Sequence, residues 1–195
     1  MKLILASASP RRAQILHDAG LSFSVVSSAI DETPYPGETP PQLVQRLADA
    51  KADLVAARAV GPSIIIAADT VVVLDGQILG KPRSTDDARR MLELFSGRTH
   101  SVITAVSLVR LPEIERRQFV ETTLVHFAPL SRDEISRYLA TEEPYDKAGA
   151  YAIQGRAGRY IPRIEGCYFN IVGLPLSHTL TALHELGWTE DEEPL

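Results

Sequence analysis

Residues 63–79 read Ser-Ile-Ile-Ile-Ala-Ala-Asp-Thr-Val-Val-Val-Leu-Asp-Gly-Gln-Ile-Leu. The first six, Ser63 to Ala68, are small or branched and almost wholly apolar, the pattern of a strand that helices cover on both faces. Asp69 then stands directly at the end of that run. Val71 to Leu74 and Gln77 to Leu79 flank Asp75-Gly76, a two-residue turn sequence of the primed type, so a hairpin follows the buried strand. A strand of the first kind belongs to a helix-covered parallel sheet, and the hairpin adds an antiparallel member. The stretch therefore predicts an α/β fold with a mixed sheet.

The rest of the chain extends this pattern in both directions. Upstream, Leu3 to Ala6 is a short apolar strand, followed by the loop Ser7-Ala8-Ser9-Pro10-Arg11-Arg12 and a helix that runs through Leu16 and stops at Gly20. Phe23 to Ser27 reads as a strand, and Asp31 to Pro41 as a proline-rich loop. Thr39 and Gln42 have capping-box spacing. Leu43, Leu47, Ala50 and Leu54 then recur at helical steps, with Lys51 at the edge of their stripe, until Gly61-Pro62. Downstream, Gly80-Lys81-Pro82 is a loop, and Ser84 and Asp87 open a helix whose Ala88, Met91, Leu92 and Phe95 face inward before Gly97. Val102 to Val109 and Phe119 to Phe127 are strands, and Ser131 and Glu134 cap a helix through Leu139. Residues 142–166 read as loops and short strands, and Tyr168 to Val172 as a strand. A last helix carries Leu176, Leu180 and Leu183 and stops at Gly187. Residues 1–188 are expected to form a single domain, with Thr189 to Leu195 an acidic tail.

Composition narrows the function. The chain has 195 residues, 45% of them hydrophobic and 23% charged, the balance of an ordinary globular domain. A chain of this length buries roughly 70% of the surface its unfolded form exposes, so it needs no staples. The lone Cys167 cannot form an internal disulfide. With 20 Lys plus Arg against 25 Asp plus Glu the net charge is -5, which argues against a broadly basic nucleic-acid-binding surface. Any bound anion must be met by local cations. The opening Met-Lys-Leu-Ile-Leu-Ala is too short for a signal peptide, and nowhere do eighteen apolar residues run together, so the expectation is a cytoplasmic protein without a membrane partner.

Five groups of residues could carry chemistry. Ser9 is a good N-cap and Pro10 suits the first helical turn, yet Arg11 and Arg12 place positive charge where the helix dipole disfavours it. A bound phosphate would resolve that conflict; solvated arginines beside an ordinary cap are the alternative. Asp69, beside Thr70, lies where open α/β sheets bind ligands, and a carboxylate there suits metal or water; a strand cap or a salt bridge is the plainer reading. Asp31 and Glu32 could complete an oxygen-ligand site for magnesium or manganese, although acidic loop pairs are usually solvated. Lys51 and Lys81, as partners of Arg12, would neutralise a polyphosphate; a snorkelling helix lysine and a turn lysine are the plainer readings. Finally, in Asp146-Lys-Ala-Gly-Ala-Tyr-Ala-Ile-Gln-Gly155, Gly149 permits close backbone approach and Gln154 offers a donor and an acceptor side by side, a match for the edge of uracil or thymine, although a packed loop would have the same composition.

Several classes lack their signatures. The glycines of a Walker loop, a G-x-S-x-G elbow and a dinucleotide fingerprint are all missing. A haloacid-dehalogenase-type phosphatase would want a second Asp two residues after Asp69, where Val71 stands. The five histidines, His100 among them, and Cys167 show no zinc-ligand spacing, so a surface or core role is expected of each histidine.

Taken in order, Leu-Ala-Ser-Ala-Ser-Pro-Arg-Arg (5–12), Asp-Glu (31–32), Lys51, Ala-Ala-Asp-Thr-Val-Val (67–72), Leu-Gly-Lys-Pro (79–82), Ser-Gly-Arg-Thr-His-Ser-Val-Ile-Thr (96–104), Asp-Lys-Ala-Gly-Ala-Tyr-Ala-Ile-Gln-Gly (146–155) and Asn-Ile-Val-Gly-Leu-Pro (170–175) resemble the Maf family of nucleotide pyrophosphatases. The Tyr-Ala-Ile-Gln-Gly form of the late segment resembles the branch acting on dTTP and UTP. The resemblance implies an elongated mixed sheet flanked by helices, as in inosine triphosphate pyrophosphatases, in two lobes with a central cleft. It implies hydrolysis of a nucleoside triphosphate to the monophosphate and pyrophosphate with a divalent metal, Mg2+ or Mn2+. By position, Asp69 would activate water. Arg12, Thr70 and Gln154 would select substrate, Lys51 and Lys81 would bind the triphosphate with Ser7 and Ser9 in the same loop as Arg12, and Glu32 with Asp69 would hold the metal. A homodimer is an expectation on the same ground. The rival reading is a nucleotide-binding regulator of cell division and septum formation without turnover; the carboxylates Glu32 and Asp69 favour catalysis, because binding a triphosphate alone favours cations.

Overall fold

The computed structural model describes residues 1–189; from residue 190 on, the expected acidic tail lies outside the described residues. The elements in chain order are β1 (Lys2–Leu5), α1 (Pro10–Asp18), β2 (Phe23–Val25), α2 (Pro40–Ala56), β3 (Ser63–Leu74), β4 (Gln77–Leu79), α3 (Thr85–Phe95), β5 (Thr99–Leu111), β6 (Glu115–His126), α4 (Arg132–Leu139), β7 (Arg163–Glu165), α5 (Tyr168–Val172) and α6 (Leu176–Glu185). The strands make a mixed seven-stranded sheet in the order β2-β1-β3-β5-β6-β7, with β4 paired to β3. β1 runs parallel to both β2 and β3, whereas β4 on β3 and β7 on β6 are antiparallel. Among the described residues no helix is long and apolar enough to cross a membrane.

Local chemistry accounts for most element boundaries. Pro10 opens α1, and Gly20, at φ 80°, closes it, its N–H donating to His17 O at 2.9 Å. The Thr39 N–H donates to the Gln42 side-chain oxygen at 3.0 Å at the start of α2. Ser84 accepts the Asp87 N–H at the start of α3, and Ser131 with Glu134 forms the capping box of α4. Asp75 and Gly76 both have positive φ, 50° and 77°, as a type I′ hairpin turn requires.

Three expectations are corrected. Asp69 does not end its strand: β3 is continuous through Leu74. The ladder with β1 stops at Leu5 opposite Ile66, but Val72 to Leu74 pair with β4, so the backbone stays extended past Asp69. The buried stripe of α2 is rotated by one position, to Leu43, Val44, Leu47, Ala48, Lys51, Ala52 and Val55. Lys51 is therefore central to the buried face instead of at its edge. Residues 168–172 are helical, not extended. The buried Asn170 amide donates to Val102 O and Thr123 Oγ1, each at 2.9 Å, and a five-residue apolar run is too short for its period to separate strand from helix.

The chain divides into two compact units, one formed by Met1–Asp69, Thr104–Val120 and the residues from Gly173, the other by Thr70–Ile103 and Glu121–Val172. The first contains a core of Ala6, Ala52, Val55, Ile65, Ala67 and Val109. The core of the second includes Val72, Met91, Leu92, Phe95, Phe127, Tyr138 and Tyr151.

Candidate active site

In the first unit the loop after β1 folds onto itself through Ser7. This residue is only 5% exposed, and its hydroxyl accepts the Ser9 N–H at 3.2 Å and Arg12 Nη1 at 3.1 Å. Ser9 occupies the N-cap of α1 as expected, but its side chain makes no cap bond. Arg12 Nε donates to the carbonyl of Gly173 at 2.7 Å. The guanidinium is thus held from two directions, which fixes the fork in one orientation. Burial lowers the Arg12 pKa, opposed first by the charge of Asp69, with Glu32 acting in the same sense as Asp69 and Arg11 against it. Gly173 had no chemical role in the sequence reading. Its contribution is a backbone carbonyl 161 positions from Arg12, a contact no residue type announces.

Lys51 gathers the acids. Its Nζ lies 2.6 Å from Asp69 Oδ1 and 2.6 Å from Glu32 Oε1. Asp69 and Lys51 are 8% and 7% exposed, while the Glu32 side chain is 60% exposed. Burial raises the Asp69 pKa, and the charge and hydrogen bond of Lys51, then the charge of Arg12, pull it back without cancelling the rise. Asp31 points elsewhere: its Oδ1 accepts the Thr33 N–H at 2.9 Å and the Thr33 hydroxyl at 2.6 Å. That Asx turn holds the Asp31 carboxyl below its usual range and keeps it separate from its neighbour Glu32.

Among the described residues no group of three or more His, Cys, Asp or Glu side chains converges as a metal cage would. Magnesium, however, is ordinarily held by one or two carboxylates, with waters and substrate phosphates completing its shell. Glu32 and Asp69 fit that requirement, because both already converge on one cation, the Lys51 ammonium.

The second unit carries Thr70, half-buried at its start, and Lys81 and Gln154, both exposed. The Gly149 N–H donates to Gly80 O at 3.0 Å, which ties the loop preceding Lys81 to the segment preceding Gln154. Gly149 has φ 73°, a conformation that favours glycine, and a Cβ there would lie 3.2 Å from Phe95 and Val72, closer than side chains usually pack. Of the surface or core role expected of each histidine, His100 takes the core one. It is 2% exposed, with Nε2 2.8 Å from the Tyr151 hydroxyl, and packs against Phe95 at 4.2 Å between ring centroids. It is a core histidine, and burial pushes its pKa down to about 3.

A family model described as "Maf-like protein" matches residues 2–186. A protein of Syntrophus aciditrophicus (strain SB), named dTTP/UTP pyrophosphatase, is 48% identical over 95% of this chain and 90% of its own. A protein of the same name from Geobacillus sp. (strain WCH70) is 50% identical over 96% of this chain and 99% of its own. Among solved structures, the Ham1 protein of Staphylococcus aureus aligns with a TM-score of 0.49 at 15% identity, covering 96% of this chain and all of that one.

Proposed function

Since this chain belongs to the Maf family, we propose that it is a nucleoside triphosphate pyrophosphatase that hydrolyses dTTP and UTP to the monophosphate and pyrophosphate. The substrate class comes from its relatives, which carry that name at up to 50% identity. The observation that carries the chemistry is the buried carboxylate of Asp69, held on Lys51 beside Glu32 and within the field of Arg12. Binding a triphosphate alone favours cations over acids, whereas hydrolysis needs a group that takes the proton of water.

In this reading water attacks the α-phosphorus, the bond from that phosphorus to the bridging oxygen breaks, and its electrons leave on pyrophosphate. Asp69 takes the proton from the attacking water. Burial raises its pKa toward the operating pH, which makes it a better acceptor than an exposed aspartate. Arg12 presents its guanidinium to phosphate oxygens, oriented by Ser7 and Gly173, and Lys81 adds a cation. Lys51 bridges the two carboxylates and adds a cation for the triphosphate. Glu32 and Asp69 would hold a divalent cation, Mg2+ or Mn2+, which when bound supplies charge neutralisation at the phosphates. Thr70 and Gln154 select the nucleotide, with Gln154 pairing to the pyrimidine edge. Cytoplasmic residence and a homodimer complete the proposal.

The test is release of pyrophosphate from dTTP and UTP in the presence of magnesium or manganese. Activity that disappears on chelation and returns with the metal is the expected result. Intact nucleotide after prolonged incubation, with binding retained, overturns it in favour of a regulator. Preference for GTP derivatives would overturn the pyrimidine assignment alone.

A further inference from the structure

The turn that carries Gln154 is braced by a carboxylate seated outside the sequence motif. Glu143 Oε2 accepts the Arg156 N–H at 2.9 Å. Its Oε1 accepts the Ala157 N–H at 3.4 Å and the Tyr138 hydroxyl at 2.8 Å. The Tyr138 oxygen in turn accepts the Ala152 N–H at 3.3 Å. One Glu–Tyr pair thereby reaches the backbone on both sides of Gln154, two residues before it and two and three residues after.

The packing at Gly155 shows how closely the chain approaches this carboxylate. A Cβ at that position would lie 2.3 to 2.4 Å from Glu143 Oε1, Cδ and Oε2. The Gly155 backbone itself is in the ordinary extended region, with φ −105°, so space and not conformation demands glycine there. Glu143 is anchored as well: its carbonyl accepts Lys147 Nζ at 3.0 Å. Tyr138 is 3% exposed on α4. Burial and the Glu143 charge both push its hydroxyl pKa up, so it stays protonated and remains a donor.

Gln154 is exposed, and an exposed glutamine on an unbraced turn would sweep through many positions. Reading a base edge needs its amide held within a fraction of an ångström. We propose that Glu143 is a positioning residue for base selection, which fixes the backbone on either side of Gln154 and so places that amide against the pyrimidine ring. The inference rests on the assignment of Gln154 to the base.

The experiment compares dTTP with CTP for the wild type, Glu143→Ala, Glu143→Gln, Gly155→Ala, the Glu143→Ala/Gly155→Ala double variant and Gln154→Ala. Loss of the brace lowers the dTTP:CTP ratio of kcat/KM about tenfold, mainly through the KM for dTTP, while inhibition by pyrophosphate, which has no base, is unchanged. Glu143→Gln is only a partial replacement, because one acceptor oxygen cannot serve donors on both sides. Gly155→Ala drives the carboxylate out and gives the same phenotype. In the Glu143→Ala background the same methyl no longer meets the carboxylate and costs little more, so the effects of the two substitutions do not add. If Glu143→Ala fails to fold, Glu143→Gln and Gly155→Ala carry the measurement. Unchanged discrimination in these variants, while Gln154→Ala loses it, overturns the inference, as does a tenfold rise in the inhibition constant for pyrophosphate. Unchanged discrimination in Gln154→Ala overturns instead the assignment on which the inference rests.

Discussion

Lys51 Nζ lies 2.6 Å from Asp69 Oδ1, and both side chains are buried. An ammonium and a carboxylate withdrawn from water are costly to separate, and the charge and hydrogen bond of Lys51 oppose the rise that burial imposes on the Asp69 pKa. Lys51 stands on α2 and Asp69 in the middle of β3, so the packing of a helix on a strand tunes the group proposed to activate water.

Asp69→Asn is expected to reduce kcat by about 1,000-fold, because an amide cannot take the proton of the attacking water. The fold should survive the change. The Asp69 pKa is raised in the folded protein, so this carboxylate's contribution to stability is greatest at low pH and falls as pH rises through its folded pKa. At neutral pH the substitution removes that penalty while Lys51 keeps Glu32. A melting temperature within a few degrees of wild type, measured at pH 7 alongside the lost activity, is the expected pair of results.

Lys51→Met leaves Glu32 and Asp69 without their shared cation. The Asp69 pKa then rises further, since Lys51 is the largest influence lowering it. The acidic limb of the kcat/KM profile should move to higher pH. Stability should fall by about 3 kcal/mol at neutral pH, as it does when one member of a buried pair is removed. Denaturant titration and a pH–rate profile measure the two effects; an unmoved acidic limb would contradict the role given to Lys51.

Arg12→Lys keeps the charge but loses the fork that Ser7 and Gly173 orient. We expect kcat/KM to fall by about 100-fold for every nucleotide tested, with the ratio between bases little altered. A change confined to one base would move Arg12 from phosphate binding to base reading.

His100 gives the protein a defined acid sensitivity. Its pKa is about 3 when folded, against 6.5 for the unperturbed side chain. The unfolded chain therefore binds a proton that the folded chain refuses between those values, and stability falls as pH drops through that window. The loss should approach about 3 kcal/mol at pH 4 relative to pH 7. His100→Gln, which still offers a partner to the Tyr151 hydroxyl, should flatten this part of the pH–stability curve; an equally steep curve in the variant would assign the loss to other groups.

Much of the fold was legible because local chemistry specifies it. The Asp75-Gly76 turn, the caps at Ser84 and Ser131 and the stop at Gly20 are read from residue type and spacing, and each is found in place. The errors share a cause. Tyr168 to Val172 became a helix because Asn170 finds Val102 and Thr123, which are remote in sequence. The strand holding Asp69 ran on because β4 supplied a further partner. In the candidate site, residue type offered Arg12, Lys51, Asp69 and the acidic pair Asp31-Glu32; only the family resemblance preferred Glu32, and the structure turns Asp31 into its own Asx turn while Glu32 reaches Lys51.

By itself the sequence determined the α/β class and the mixed sheet, since periodicity and turn chemistry are properties of short stretches, and it named the candidates for the site. Only the tertiary structure decided how those residues are used. It placed Lys51 between two acids, bound Arg12 to the carbonyl of Gly173 and set Glu143 against Gly155. Each of these depends on a distance between parts of the chain that no local pattern encodes. The reach of a hydrogen bond and the burial of a charge are fixed only when the elements pack.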